Sequence, residues 1–256
     1  IQGNFEINAG TLVVTNSSHT ITIAGNFVNN SGFTHGNGTF VLNGNSSQSI
    51  NNAFGSNFFN LQLSGIGEKT LLTNVSILKD LTIGAILNAG NKTIQIKGDW
   101  QGTKTFNRGT STVVFNGTNS QFIDKLETFY NLQINNSAPL TAVALQKTVY
   151  IENQLVLTQG KVESGINTTL TLYDNATLVG GSSTTYVKGY LSKIGDDDFV
   201  FPIGTDNYYA PIAISGLTSS ATFRAGYFEG AYNPTQLQTG LNRASNVEYW
   251  NLSRLS

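Results

Sequence analysis

Short runs of alternating apolar and polar residues follow one another along almost the whole chain. Clear examples are TITIAGNFV at 20–28, VSILKDLTIG at 75–84 and TVYIENQLVLTQG at 148–160. Period-2 alternation of β-branched and aromatic residues, bounded by Asn, Gly and Ser, predicts β-strands. No stretch keeps apolar residues at helical spacing for three turns, so we predict almost no helix. We therefore expect an all-β protein.

A long internal repeat organises these strands. FVLNGNSSQSI at 40–50 returns 73 residues later as VVFNGTNSQFI at 113–123, and FFNLQL at 58–63 returns as FYNLQI at 129–134. Self-similarity of this kind marks a repeat architecture. An antiparallel sandwich remains an alternative for residues 1–185. We favour a parallel β-solenoid, in which one repeat fills three or four turns of about 20–25 residues.

Two Asn-Gly pairs occupy the same position in the repeat, namely Asn43-Gly44 and Asn116-Gly117. Asn and Gly tolerate the left-handed backbone conformation that a sharp corner often needs. The pairs therefore support the solenoid, and they predict left-handed corners at Gly44 and Gly117.

Aromatic residues also recur at matching repeat positions. The recurring positions are Phe27/Trp100, Phe40/Val113, Phe58/Phe129 and Phe59/Tyr130. Recurrence inside an alternating strand favours a role in the core, with at least one ring of each Phe58-Phe59 and Phe129-Tyr130 pair pointing inward. An outward row of rings would instead favour glycan binding.

The composition and the residue pattern of the sequence change near residue 185. Three of the four prolines and seven of the ten tyrosines lie after it, and Gly-Asp and Thr-Asp-Asn turns separate the strands. We interpret residues 1–185 as the solenoid and 186–256 as an antiparallel, sandwich-like β module that covers the open end of the coil. The last segment, EYWNLSRLS, reads as a strand, so we expect this module to be truncated and to belong to a longer, processed protein.

Composition limits the classes of partner. Charged residues make up 11% of the chain and the formal net charge is -1, which argues against nucleic acid, because neutralising phosphates needs clustered Lys and Arg. No apolar run reaches the ~18–20 residues of a membrane span. Cysteine is absent, so disulfides and thiolate metal sites are excluded.

The repeated block VVFNGTNSQFI…FYNLQIN, followed by the strand pairs VSILKDLTI at 75–83 and VYIENQLVL at 149–157, resembles a known family. It is similar to the large secreted surface proteins of Bacteroidota, the gliding-motility and biofilm adhesins exported by the type IX secretion system. The segment GYLSKIG…FVFPIGTDNYYAPIAIS…EYWNL looks like the module that follows the coil in that family. The resemblance implies an extracellular or cell-surface location, further domains in a longer parent chain, and glycans or cell-surface and secretion-machinery proteins as partners.

One acidic run offers a candidate metal site. Asp196, Asp197 and Asp198, together with nearby Asp206, could supply oxygen ligands to Ca²⁺ at the junction between the coil and the last module. No calcium-binding motif accompanies the run, so we interpret it as a solvated turn and expect no stabilisation by calcium. We expect no other cofactor.

Catalytic chemistry has few candidates. His19 and His35 are the only histidines, and neither has metal-ligand spacing. A β-helical polysaccharide-cleaving enzyme needs paired carboxylates on one face, and Asp80 and Glu152 occupy similar repeat positions and could approach each other. We favour a solvent-facing role for both. We therefore expect a non-enzymatic adhesin or structural stalk, with a carbohydrate-binding module and, behind it, the cleaving enzyme as alternatives.

Overall fold

A computed structural model describes residues 1–15, 19–232, 239–240 and 243–255. The chain is all-β: residues 5–193 form a parallel β-solenoid of about 9 turns, and a mixed and antiparallel β region follows. The described residues contain no helix, as the sequence predicts, and hence no helix able to span a bilayer. The solenoid, rather than the sandwich alternative, is confirmed.

The turns are three-sided, and most turns place one strand on each side. The first four turns contain β1 (Phe5–Ile7), β2 (Leu12–Val13), β3 (Thr20–Ile23), β4 (Phe27–Asn29), β5 (Phe33–Thr34), β6 (Thr39–Leu42), β7 (Gln48–Asn51), β8 (Asn60–Leu63), β9 (Lys69–Leu71), β10 (Val75–Ile77) and β11 (Leu81–Ile83). The remaining turns contain β12 (Leu87–Asn88), β13 (Thr93–Ile96), β14 (Trp100–Gly102), β15 (Phe106–Asn107), β16 (Thr112–Phe115), β17 (Gln121–Asp124), β18 (Glu127–Asn135), β19 (Val143–Leu145), β20 (Val149–Gln159), β21 (Val162–Glu163), β22 (Leu170–Leu172), β23 (Thr177–Gly180) and β24 (Val187–Lys188).

The three sides differ in the continuity of their hydrogen-bond ladders. The third face, which begins at β3, runs without a break through ten strands. The first face begins at β1, and its ladder ends at β15. The ladder of the first face resumes at residues 127–129. The long strands β18 and β20 bend at the corner, so that the first part of each lies on the first face and the rest on the second face. The second face stops at β23, which pairs only with β20.

Alternate residues of most strands point into one continuous apolar core. Ile94 and Ile96, for example, are fully buried, while Gln95 between them is exposed. Phe58 and Phe129 are also fully buried, and Phe59 and Tyr130 are half-buried, so each predicted pair has one inward ring. A core role is confirmed for Phe27/Trp100, Phe40/Val113 and Phe58/Phe129, but not for Phe59/Tyr130.

The copies of the repeat lie on different faces. β3 and β6 in the first copy belong to the third face, whereas their counterparts β13 and β16 belong to the second face. Between β3 and β13 the chain advances by three complete turns and two further faces. The second copy is therefore displaced by one face relative to the first.

Side-chain amides and carboxylates close the corners of the coil. Asn60, Asp80 and Asp99 each accept a hydrogen bond from a backbone N–H in the following turn, and these bonds link four successive turns. Stacked turns leave corner N–H groups outside the strand ladders, and Asn and Asp satisfy them locally. This use explains the richness of the sequence in Asn.

A buried glutamine closes the repeated corner. Gln48 accepts a hydrogen bond from the Gly44 N–H at 2.6 Å and donates to the carbonyls of Ile23 and Gly25 in the preceding turn. In the second copy, Gln121 makes the same three bonds, to Gly117, Ile96 and Gly98.

The predicted left-handed conformation at these corners is wrong. Gly44 and Gly117 do not have positive φ angles. Glycine is required there because a Cβ at Gly117 would lie 2.7 Å from the Lys97 carbonyl oxygen and 2.8 Å from Gln121 Oε1. The constraint is close approach of neighbouring turns. Left-handed glycines occur at other corners, such as Gly90 and Gly109 (φ 59° and 53°).

Parallel stacking continues past residue 185 and then gives way to antiparallel pairing. The last strands are β25 (Tyr190–Gly195), β26 (Phe199–Phe201), β27 (Ile203–Gly204), β28 (Ile212–Ile214), β29 (Ala221–Glu229) and β30 (Glu248–Arg254). β25 and β27 pair parallel with β22 and β24, so the ladders extend beyond the boundary drawn from the sequence. β25–β29–β30 and β26–β28 are antiparallel.

Candidate functional site

The structure brings two of the four candidate carboxylates together with a third that was not predicted. Oxygen atoms of Asp174, Asp196 and Asp197 lie within 4.8 Å of one another. Asp174 follows β22, one turn before the acidic run, so stacking of turns creates this group. Asp198 accepts a bond from the Gly216 N–H, and Asp206 pairs with Lys188 at 2.9 Å. Neither belongs to the group.

A buried lysine already neutralises part of this group. Lys193 Nζ lies 2.6 Å from Asp197 Oδ2 and also donates to the carbonyls of Tyr173 and Ile194. The hydrogen bond from Lys193 holds the pKa of Asp197 below its usual value. The Lys193 ammonium group beside Asp197 repels a metal ion. That calcium does not stabilise the protein stays a prediction.

A groove of about 630 Å³ lies beside these carboxylates, between β23 and β26. β26 occupies the place of the next strand on the second face, but it pairs with β28 instead of β23. Gly181 and Pro202 meet at one end of the gap, and Asn175 donates a hydrogen bond to Asp197 at the other. The groove is therefore an opening in the second ladder, bounded at both ends.

A second groove, of about 400 Å³, lies at the break in the first face, between β15 and residues 127–129. Its lining comes from four successive turns of the coil. The lining residues are Thr103, Lys104, Thr105, Phe106, Arg108, Lys125, Leu126, Glu127, Thr128, Tyr150 and Tyr173. Four turns at the strand spacing of about 4.8 Å give this channel a length of about 14 Å along the coil axis.

Two tyrosines form one wall of this groove, which we call the tyrosine groove. Tyr150 on β20 and Tyr173 after β22 stack with their ring centroids 5.3 Å apart and their planes at 21°. Both rings are half-buried, so each keeps part of its surface in contact with solvent. Offset stacking on neighbouring turns holds both rings in place.

The base of the tyrosine groove is a buried, hydrogen-bonded carboxylate. Glu127 is 6% exposed and accepts bonds from the Trp100 indole N–H at 3.2 Å and from Lys125 Nζ at 2.7 Å. Burial raises the pKa of Glu127, and the bond from Lys125 partly opposes that rise. At the rim, Arg108 forms an ion pair with Glu152. Lys104 is exposed and has no ion-pair partner within the described residues.

The catalytic candidates from the sequence are not brought together. Asp80 accepts a hydrogen bond from the Asp99 N–H at a corner of the coil. Glu152 lies more than three turns further along the coil, where it forms an ion pair with Arg108. His35 stacks on Phe59 with centroids 5.6 Å apart, and burial lowers its pKa.

Sequence reasoning missed the tyrosine groove because its residues do not recur. Tyr150 takes the repeat position of Ser76, and Arg108 that of His35. Residues that differ between copies carry no periodic signal. The available signal was the 23-residue separation of Tyr150 and Tyr173, which is close to one turn of the coil.

No family model matches the chain, and neither a curated protein nor a solved structure matches it.

Proposed function

We propose that this chain is a rigid, non-enzymatic segment of a secreted or cell-surface protein, which acts as an adhesin or structural stalk in attachment, gliding or biofilm formation. The unbroken third ladder carries the proposal. Nine spacings of about 4.8 Å from β3 to β27 give a stiff column about 43 Å long. Such a column holds neighbouring domains of a longer parent chain at a fixed distance from a surface.

Two further features support a mechanical role. Corner side chains such as Gln48 and Gln121 connect successive turns in addition to the ladders, so adjacent turns are held at corners as well as along faces. The coil's carboxylates Glu127 and Glu152 are engaged in ion pairs. The resemblance to the exported surface proteins of Bacteroidota supports the location and the type IX export route.

Stiffness is tested by a distance measurement along the third face. Thr22, Val41, Gln62, Thr82, Gln101 and Asp124 are in register across six adjacent strands. Because the chain has no cysteine, spin labels on a Thr22→Cys, Asp124→Cys variant are unique. We expect one narrow distance distribution near 24 Å, broadened only by the label linkers. Several populations or a broad distribution would contradict a rigid column.

Location is tested separately on intact cells that produce the parent protein. Protease added outside the cells should remove the epitope of an antibody raised against this segment, while a cytoplasmic marker survives. An epitope that persists until the cells are lysed would reject the surface role.

A further inference from the structure

We propose that the tyrosine groove binds an acidic polysaccharide, with a sugar ring against Tyr150 and Tyr173 and a sugar carboxylate against Lys104. This inference rests on the proposed surface role, because a surface protein meets the polysaccharides of matrices and other cells. The binding itself is measured independently of location.

The groove exists because the first ladder is interrupted. β15 and residues 127–129 are consecutive on this face, yet they do not pair. The groove lies between their edges. The ladder is also interrupted at the corresponding place in the first copy, but there the Phe33 N–H donates to Ser56 Oγ at 3.0 Å across the gap. Glu127 takes the place of Ser56 and binds Trp100 and Lys125 instead. A side-chain hydrogen bond therefore bridges the gap in the first copy, and the second copy lacks this bond.

The lining matches a sugar better than an apolar ligand. Three threonines and two tyrosines, all of which carry hydroxyl groups, line an open, elongated channel, whereas sites for apolar small molecules are mostly enclosed and apolar. The aromatic stack offers the apolar surface against which the C–H face of a pyranose ring packs. Its rings have few rotatable bonds, so little entropy is lost when a ligand binds.

The charges favour an acidic sugar. Arg108 is neutralised by Glu152 and Lys125 by Glu127, which leaves Lys104 as the unpaired cation among the lining residues. An unpaired, exposed ammonium group attracts an anion and adds a salt-sensitive contribution to binding. The first copy has Ser31 in the place of Lys104, so this charge is also particular to the second copy.

The test is calorimetric titration of the whole chain with a galacturonic acid tetramer and with its methyl ester. The ester keeps the sugar rings and removes the charge. We expect the acid to bind and the ester to bind several-fold more weakly. Tyr150→Ala should weaken binding of the acid by at least about tenfold, while Tyr150→Phe, which keeps the ring, should retain most of the affinity. Lys104→Ala should remove the preference for the acid without changing binding of the ester.

Tyr208→Ala is the matched control, because Tyr208 is an exposed tyrosine outside the groove. It should bind like the wild type, and thermal melts of all variants establish that each is folded. Absence of binding, equal affinity for acid and ester, or an unchanged affinity in Tyr150→Ala would each overturn the proposal. None of these results would alter the spin-label distance or the protease experiment, so failure of the binding site and failure of the proposed function are distinguishable.

Discussion

The first copy of the repeat, residues 20–83, and the second copy, residues 93–157, build the same buried cluster on different faces. In the first copy, Phe27 packs edge-on against Phe40 and Phe58, with centroids 4.7 and 5.6 Å apart. In the second copy, Trp100 and Phe129 take the corresponding places, 5.2 Å apart. The same kind of aromatic cluster therefore fits two different faces of the coil, because all three faces enclose the same apolar interior.

The outer surfaces of the two copies differ much more. His35 stacks on Phe59 in the first copy, whereas its counterpart Arg108 pairs with Glu152 in the second. Packing and corner hydrogen bonds constrain the inward positions, since a void or an unpaired amide costs free energy. Outward positions carry few such constraints. The comparison shows that the buried scaffold repeats, whereas the outer surface differs between the copies.

The largest expected effect tests the equivalence of the two cores. Phe58→Ala and Phe129→Ala should each lower the free energy of unfolding by about 3–5 kcal/mol, because both rings are fully buried and each leaves a cavity. Chemical denaturation measures both losses. Phe122→Ala, at a 41% exposed position in the second copy, is the control and should cost far less. A loss confined to one copy would break the equivalence.

The glutamine corners should give the next largest effect. Gln48→Ala and Gln121→Ala each leave buried backbone groups without partners, and we expect losses of about 2–3 kcal/mol. Gln121 also accepts a bond from Asn136 Nδ2 at 2.7 Å, but this amide group donates to the carbonyls of Asn119 and Ala142 as well, so it keeps partners in the variant. We therefore expect similar losses at the two corners. Denaturant melts of both variants measure them, and a loss confined to one variant would contradict the equivalence of the corners.

Glycine substitutions probe how closely the turns approach. Gly44→Ala and Gly117→Ala should each cost about 1–3 kcal/mol, because a Cβ meets the Ala24 carbonyl in one case and the Lys97 carbonyl in the other. The approach is closer at Gly44, so we expect the greater loss there. Gly3→Ala, where a Cβ meets open space, serves as the control. Unchanged melting midpoints in both variants would contradict the close packing of turns.

The smallest expected effect separates the copies by pH. Because the folded state raises the pKa of Glu127 above its ordinary value of 4.5, the folded state holds this proton more tightly than the unfolded state. The contribution is fully present below pH 4.5 and is lost as the pH rises through the folded pKa. Glu127→Gln should flatten the pH dependence of the unfolding free energy in that window, and Ser56→Ala in the first copy should leave it unchanged. Identical profiles for wild type and Glu127→Gln would contradict the raised pKa.

Sequence alone determined the class of fold and much of the core. Alternation predicted strands, the 73-residue repeat favoured a stacked coil over a sandwich, and the recurrence of Phe58 as Phe129 identified an inward position. These conclusions follow from local periodicity, which each short segment carries by itself. The Asn-Gly pairs correctly marked corners, but the sequence could not distinguish a left-handed glycine from one that faces a neighbouring carbonyl, because that distance joins residues a full turn apart.

Only the tertiary structure decided which residues meet across turns. The length of a turn varies, for example from 19 residues between Ile94 and Val113 to 23 between Leu132 and Leu155, so spacing along the sequence does not specify which residues lie side by side. The register between turns places Asp174 beside Asp197, keeps Asp80 apart from Glu152, and stacks Tyr150 on Tyr173. The physical reason is that periodicity specifies the inward and outward sides of a strand, whereas the register between turns depends on corner lengths and on the packing of the whole column.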